Sequence, residues 1–191
     1  MLIGSQSDAV ARVVQVNASK QVGMLTYGQL RLRCAVGRAG VRPLKREGDA
    51  ATPLGVWPLR QLLYRADKVR RPRAALPIEP IEPADGWCDA QNDRNYNRLV
   101  SLPYPASAEE LWRGDDLYDI VVVLGYNDEP RVRGRGSAIF MHVARHDFAP
   151  TAGCLALRRS DLLLLLESPQ PPRWIDTRPH ALAQRTRRGF M

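Results

Sequence analysis

Tyr118-Asp119-Ile120-Val121-Val122-Val123-Leu124 is the stretch whose reading decides the fold. After Asp119 come five consecutive apolar residues, four of them β-branched, which favours a strand over a helix. A strand with one wet face alternates apolar and polar residues, and this one does not. It therefore reads as a central strand covered on both faces. Ser137 to Val143 reads as a second buried strand. Farther out, Val10 to Val16 and Leu30 to Val36 alternate, with Leu30, Leu32 and Cys34 set against Arg31 and Arg33. Val56 to Leu63 adds a short strand.

Two short helices are expected. Ala106 to Trp112 carries Ser107 as an N-cap with Glu109 and Glu110 in its first turn. Ser160 to Leu166 is capped by Ser160 with Asp161 beside it. Residues 67 to 105 are punctuated by proline and cannot form a long helix. Trp87, Tyr96 and Tyr104 mark that segment as an ordered loop with short strands, draped over the domain. The expected architecture is mainly β, a sandwich or partly closed barrel with a few short peripheral helices. Residues 1–191 read as one domain, with a long loop at about 67–105 and a basic C-terminal tail at about 173–191.

Composition narrows the function classes. The chain has 191 residues, 45% hydrophobic and 25% charged, which is globular composition. Its leucine run, Leu162 to Leu166, is far short of the ~20 apolar residues that span a bilayer, so no membrane insertion is expected. Three cysteines exclude a disulfide framework, although Cys34 and Cys88 can pair in an oxidising compartment. The first residues show no secretory signal. The formal charge is +8, and all basic residues but Lys20, Lys45 and Lys68 are Arg. An Arg-rich surface suits a carboxylate or phosphate partner, and codon usage explains the same surplus. Arg131-Val132-Arg133-Gly134-Arg135 and Arg185-Thr186-Arg187-Arg188 keep a nucleic-acid-binding protein as a distant alternative. No nucleic-acid-binding signature accompanies them, so no nucleic-acid partner is expected.

The chemistry-bearing residues are few. The histidines are His142, His146 and His180. His142 closes a buried strand, and Cys154 follows twelve residues later in Ala152-Gly153-Cys154-Leu155. A loop of that length can return the chain so that the two side chains meet, giving a thiol a base. Gly153 permits a sharp turn whose N–H groups, with that of Cys154, face a reacting carbonyl. A buried structural Cys beside a strand-end His is the other reading of the same residues. A third is zinc held by His142, His146 and Cys154, but no Cys-x-x-Cys or His-Glu-x-x-His accompanies them, so no metal is expected.

Gly136-Ser137-Ala138-Ile139-Phe140-Met141-His142-Val143, followed by Pro150-Thr151-Ala152-Gly153-Cys154, resembles the active-site motif of the L,D-transpeptidase (YkuD-type) catalytic domain. There a strand-end His precedes a Ser/Thr-x-Gly-Cys segment. Lys45-Arg46-Glu47-Gly48-Asp49-Ala50-Ala51-Thr52-Pro53-Leu54-Gly55-Val56-Trp57 is similar to that family's Gly-x-x-x-Thr-Pro-x-Gly-x-aromatic strand entry. Trp87-Cys88-Asp89, Tyr96-Asn97-Arg98 and Leu117-Tyr118-Asp119 resemble a divergent branch. The matches run from about residue 10 to residue 168. The chain departs from the common pattern at Val143 (usually Gly), Ala152 (often His) and Ala156 (usually Arg).

The resemblance implies a cysteine-dependent acyltransferase of bacterial cell-wall biogenesis and cell shape, acting on peptidoglycan stem peptides. It implies a monomer with no cofactor, located in the periplasm or cell envelope. Cys154 would attack an L,D-peptide bond, with His142 as base and then acid. The Val143 carbonyl would hold the imidazole, and Gly153 would help form the oxyanion hole. Thr151, Tyr96, Asn97 and Arg158 would bind substrate. An acceptor amine makes the cross-link. Water instead makes an L,D-carboxypeptidase or endopeptidase. Carbapenem-type β-lactams are expected to acylate the same Cys.

Overall fold

The computed structural model describes residues 9–17 and 21–179. His180, the Arg185–Arg188 cluster and most of the basic tail lie outside the described residues. The strands in chain order are β1 (Val10–Asn17), β2 (Val22–Tyr27), β3 (Leu30–Ala35), β4 (Val41–Arg42), β5 (Thr52–Pro53), β6 (Val56–Tyr64), β7 (Ile78–Pro80), β8 (Asp85–Cys88), β9 (Arg98–Ser101), β10 (Ala108–Glu110), β11 (Ile120–Leu124), β12 (Phe140–Val143), β13 (Leu155–Leu157) and β14 (Trp174–Asp176), with α1 (Arg159–Leu166) between the last two.

Eight strands close into a barrel in the order β11-β12-β13-β3-β2-β1-β14-β6, and β6 pairs back onto β11. Val121 faces Leu63 and Val122 faces Leu62 across that closing seam. Closure leaves no bare edge in the ring, which a partly closed barrel would have to protect. β7 extends the sheet from β6. β8, β9 and β10 form a separate three-stranded sheet.

β11 has an apolar sequence on both faces because two cores meet at it. Ile120, Val122 and Leu124 point into the barrel with Leu25, Leu62, Met141, Leu155 and Leu157. Val121 and Val123 point outward, where Leu63, Ile81, Leu111, Tyr118 and Phe140 bury them. The proline-rich segment and the residues after it supply that outer cover. Trp87 sets its ring edge-on to Phe140 at 5.1 Å, and Arg65 lies 3.6 Å over the ring of Trp112. Each fully buried aliphatic side chain contributes on the order of 1.5–3 kcal/mol.

Two expected features are corrected. Ala106 to Trp112 is not a helix. Ala108–Glu110 is strand β10, antiparallel to β8, with Glu109 opposite Trp87. The sheet partner outweighs the weak helix propensity of a short segment. α1 is the one helix among the described residues. It begins one residue before the expected cap, with Arg158 at the N-cap and no side-chain bond there. Ser160 lies inside the first turn, while Leu162, Leu165 and Leu166 join the barrel core. Cys34 and Cys88 are both buried and unpaired, Cys34 inside the barrel and Cys88 in β8.

Adjacent residues on β6 test the double burial. Leu62 belongs to the barrel core and Leu63 to the outer one, and both are buried. Leu62→Ala and Leu63→Ala should each cost about 2–5 kcal/mol in urea unfolding. A Leu63→Ala cost under about 0.5 kcal/mol, as for a surface position, would contradict the outer core.

Candidate active site

β12 and β13 run parallel, with Met141 paired to Leu155 and His142 to Ala156. The barrel takes Met141, Val143, Leu155 and Leu157. The alternate residues Phe140, His142, Cys154 and Ala156 therefore share the outward face. Cys154 lies one strand across and two residues back from His142, a diagonal of roughly 8 Å between Cα atoms. Sequence spacing brought these residues together as one of several readings, and the parallel register puts them on one face.

The thiol is held by backbone. The Phe140 N–H donates to Cys154 Sγ at 3.3 Å, and Sγ lies 3.2 Å from the Ala138 carbonyl oxygen as its donor. The turn before it is clamped from two sides. Thr151 Oγ1 donates to the Cys154 carbonyl at 2.6 Å and accepts the Gly153 N–H at 3.1 Å. Thr52, from the Thr-Pro-x-Gly segment, donates its hydroxyl to the Gly153 carbonyl at 2.8 Å and accepts the Gly37 N–H at 2.8 Å. Gly153 has φ +141°, and a Cβ there would lie 2.8 Å from the Ala51 carbonyl oxygen, so only glycine fits.

His142 Nδ1 lies 2.8 Å from the Val143 carbonyl oxygen. A carbonyl can only accept, so Nδ1 carries the proton and Nε2 keeps its lone pair. The ring of Tyr118 meets the imidazole edge-on at 5.2 Å, and the Tyr118 hydroxyl donates to Glu109. Burial drives His142 down to about 4, and the Arg113 charge adds to this against the Val143 and Leu117 carbonyls. Burial pushes the Cys154 thiol up to about 12, and Glu109 pushes the same way. Burial also raises the Glu109 carboxyl and the Tyr118 hydroxyl. At neutral pH the pair rests as thiol and neutral imidazole.

The pair opens onto a cavity of about 460 Å³ whose lining includes Thr151, Ala152, Lys45, Glu109, Arg113 and Tyr118. Tyr96 and Asn97 lie outside this lining. The Tyr96 hydroxyl accepts the Gly136 N–H at 2.9 Å and bonds Glu47. Asn97 Oδ1 accepts the Ala138 N–H at 3.1 Å and the Trp87 indole N–H at 2.9 Å. Both residues brace the chain that carries the thiol's acceptor. Arg158 is likewise placed elsewhere, over the ring of Phe148 at 5.6 Å. The arginines that reach the cavity are Arg38, Arg113 and Arg145. Among the described residues no His/Cys/Asp/Glu cluster suited to a metal forms, so His142, His146 and Cys154 do not assemble as ligands.

Lys45 and Tyr118 fall in segments that carry the family resemblance and Glu109 in an expected helix, but the sequence gives none of the three a role at the site. Glu109 was hidden by the expected helix. Lys45 had a signal, being one of three lysines in an arginine-rich chain.

A family model described as the L,D-transpeptidase catalytic domain (YkuD) matches residues 11–171. Neither the curated proteins nor the solved structures contain a match.

The buried imidazole makes stability depend on acid. Unfolded His142 takes a proton near pH 6.5, the folded one only near pH 4. The unfolded chain therefore binds more protons across that window, so stability present above pH 6.5 is lost as pH falls through about 4. Urea unfolding of the native protein should show this component, worth roughly 3 kcal/mol at full size. His142→Gln should flatten the profile between pH 7 and 4, and an unchanged slope would mean that His142 is not buried neutral.

Proposed function

The chain belongs to the L,D-transpeptidase catalytic-domain (YkuD) family, and from that premise we propose that it is a cysteine-dependent L,D-transpeptidase of peptidoglycan stem peptides. The observation that carries this reading is the shared outward face of β12 and β13. It presents a thiol and a neutral imidazole to one cavity.

The residues support the following course. His142 Nε2 takes the Cys154 proton as Sγ attacks the carbonyl carbon of an L,D-peptide bond. Both groups are neutral at rest, so proton transfer accompanies attack. The oxyanion falls to the N–H of Cys154, supported by Gly153. The imidazolium returns its proton to the leaving amine of the D-residue, and a thioester remains on Cys154. An acceptor amine then attacks, His142 takes its proton, and collapse gives the new amide and restores the thiol. Water in place of the amine gives the carboxypeptidase or endopeptidase outcome. Arg38, Arg113 and Arg145 are suited to the stem carboxylates. The substrate places the protein in the cell envelope. No helix among the described residues is long and apolar enough to cross a membrane.

Cys154→Ala should lower kcat by on the order of 10³-fold or more while leaving the circular dichroism spectrum unchanged. Intact-mass analysis with a synthetic stem tetrapeptide should show a thioester adduct on the native chain and none on the variant. Activity within about tenfold of native in folded Cys154→Ala would overturn the covalent scheme.

Carbapenem should acylate Cys154, but slowly, with Cys34 and Cys88 unmodified. Ala156 offers no cation for a drug carboxylate, and the loss of one charge-assisted hydrogen bond costs about 1.5–3 kcal/mol. Peptide mapping after long incubation checks this. Equal modification of all three cysteines would show that Cys154 has no special activation.

A further inference from the structure

Lys45 places a charge at this centre that the scheme above does not use. Its side chain is 3% exposed. A buried ammonium is costly unless it is paired and hydrogen-bonded. Asp49 Oδ1 pairs it at 2.8 Å, and Nζ also donates to the Arg46 carbonyl at 3.2 Å. Asp49 is itself fixed, accepting the Ala51 N–H at 2.9 Å and the Arg46 N–H at 2.6 Å. The lysine stem runs past Gly136, where a Cβ would lie 2.8 Å from Lys45 Cε, and Nζ ends 3.5 Å from where a Cβ of Gly153 would be. Both glycines have positive φ, +106° and +141°. The chain thus leaves room for an ammonium beside the residue that precedes the nucleophile.

An ammonium has three N–H donors. Asp49 and Arg46 take two, and Lys45 lines the cavity that holds Cys154. The charged and titratable groups around the thiol come from several elements. His142 lies on β12, Glu109 on β10, and Asp89 follows β8. Arg113, Asp115 and Tyr118 precede β11. Lys45, Glu47 and Asp49 lie between β4 and β5, with Arg38 and Arg145 at the rim. Of these, Glu109 opposes ionisation of the thiol and Lys45 favours it.

We propose that Lys45 is a positioning residue of the acyl-transfer centre, its ammonium stabilising the negative charge on Cys154 Sγ as the thiol proton passes to His142 Nε2. The proposal rests on the reading of Cys154 as nucleophile. An opposite charge held close to an ionising group favours its charged form by about tenfold or more.

The test needs no substrate. Alkylation of Cys154 in the full chain by iodoacetamide, in which the thiolate displaces iodide, is followed from pH 6 to 11. Peptide mapping separates Cys34 and Cys88. Lys45→Met keeps the length and apolar stem but removes the charge, and should slow alkylation at pH 8 about tenfold. Lys45→Arg keeps the charge in a poorer shape and should stay within about threefold of native. If Lys45→Met does not fold, Lys45→Gln is read in the same way. A folded Lys45→Met that alkylates within about twofold of native overturns the proposal. So does an equal loss in the Met and Arg variants, which marks a packing role. Failure to form a thioester with a stem peptide, with the alkylation difference intact, would overturn the transpeptidase reading and not the effect of Lys45 on the thiol.

Discussion

The parallel pairing of β12 with β13 is the constraint on which the rest of the molecule depends. Parallel neighbours cannot be joined by a tight hairpin, so residues 144 to 154 must leave the sheet and return. Their return is the turn that carries Thr151, Gly153 and Cys154. The same register sends Met141 and Leu155 into the barrel, and with them fixes which residues face out. A slip of one residue would bury Cys154 in the barrel and turn its neighbours to the outside. Barrel packing therefore specifies the geometry of the candidate site.

The second consequence is electrostatic. The outer face of β11 and β12 lies beneath Trp87, Leu111 and Tyr118, in surroundings that disfavour charge. Both members of the pair stay neutral there. A low dielectric also strengthens every fixed dipole and charge near a developing anion. In the proposed reaction the backbone around Gly153 and the ammonium of Lys45 would act in that setting, beside the Tyr118–Glu109 hydrogen bond. The cover that looks like a loop in the sequence would thus serve the proposed chemistry by excluding water.

Legibility varied with the range of the interactions involved. β3 was readable from its apolar alternation, β11 and β12 from short runs that are apolar on both faces, and α1 from the polar residues at its start, all of them local patterns. The helix expected at Ala106 to Trp112 failed because Ser107, Glu109 and Glu110 are also acceptable at a sheet edge, and the partner strand with Trp87 lies twenty residues away. Barrel closure was equally hidden, since the β6–β11 seam joins residues some sixty positions apart. Tyr96 and Asn97 were recognisable as special but not as braces, because their partners Gly136 and Ala138 are remote in the chain.

By itself the sequence determined the mainly β class, the doubly covered central strand, and the pairing of His142 with Cys154 as one candidate chemistry. These depend on side-chain type and on spacing within about a dozen residues. Only the tertiary structure decided the imidazole tautomer, the clamp of Thr52 on Gly153, and which cations reach the cavity. Lys45 lies more than a hundred residues before Cys154, and its ammonium arrives there because Gly136 and Gly153 lack side chains where the stem and head group pass. Such placements follow from long-range packing, whose outcome no local pattern encodes.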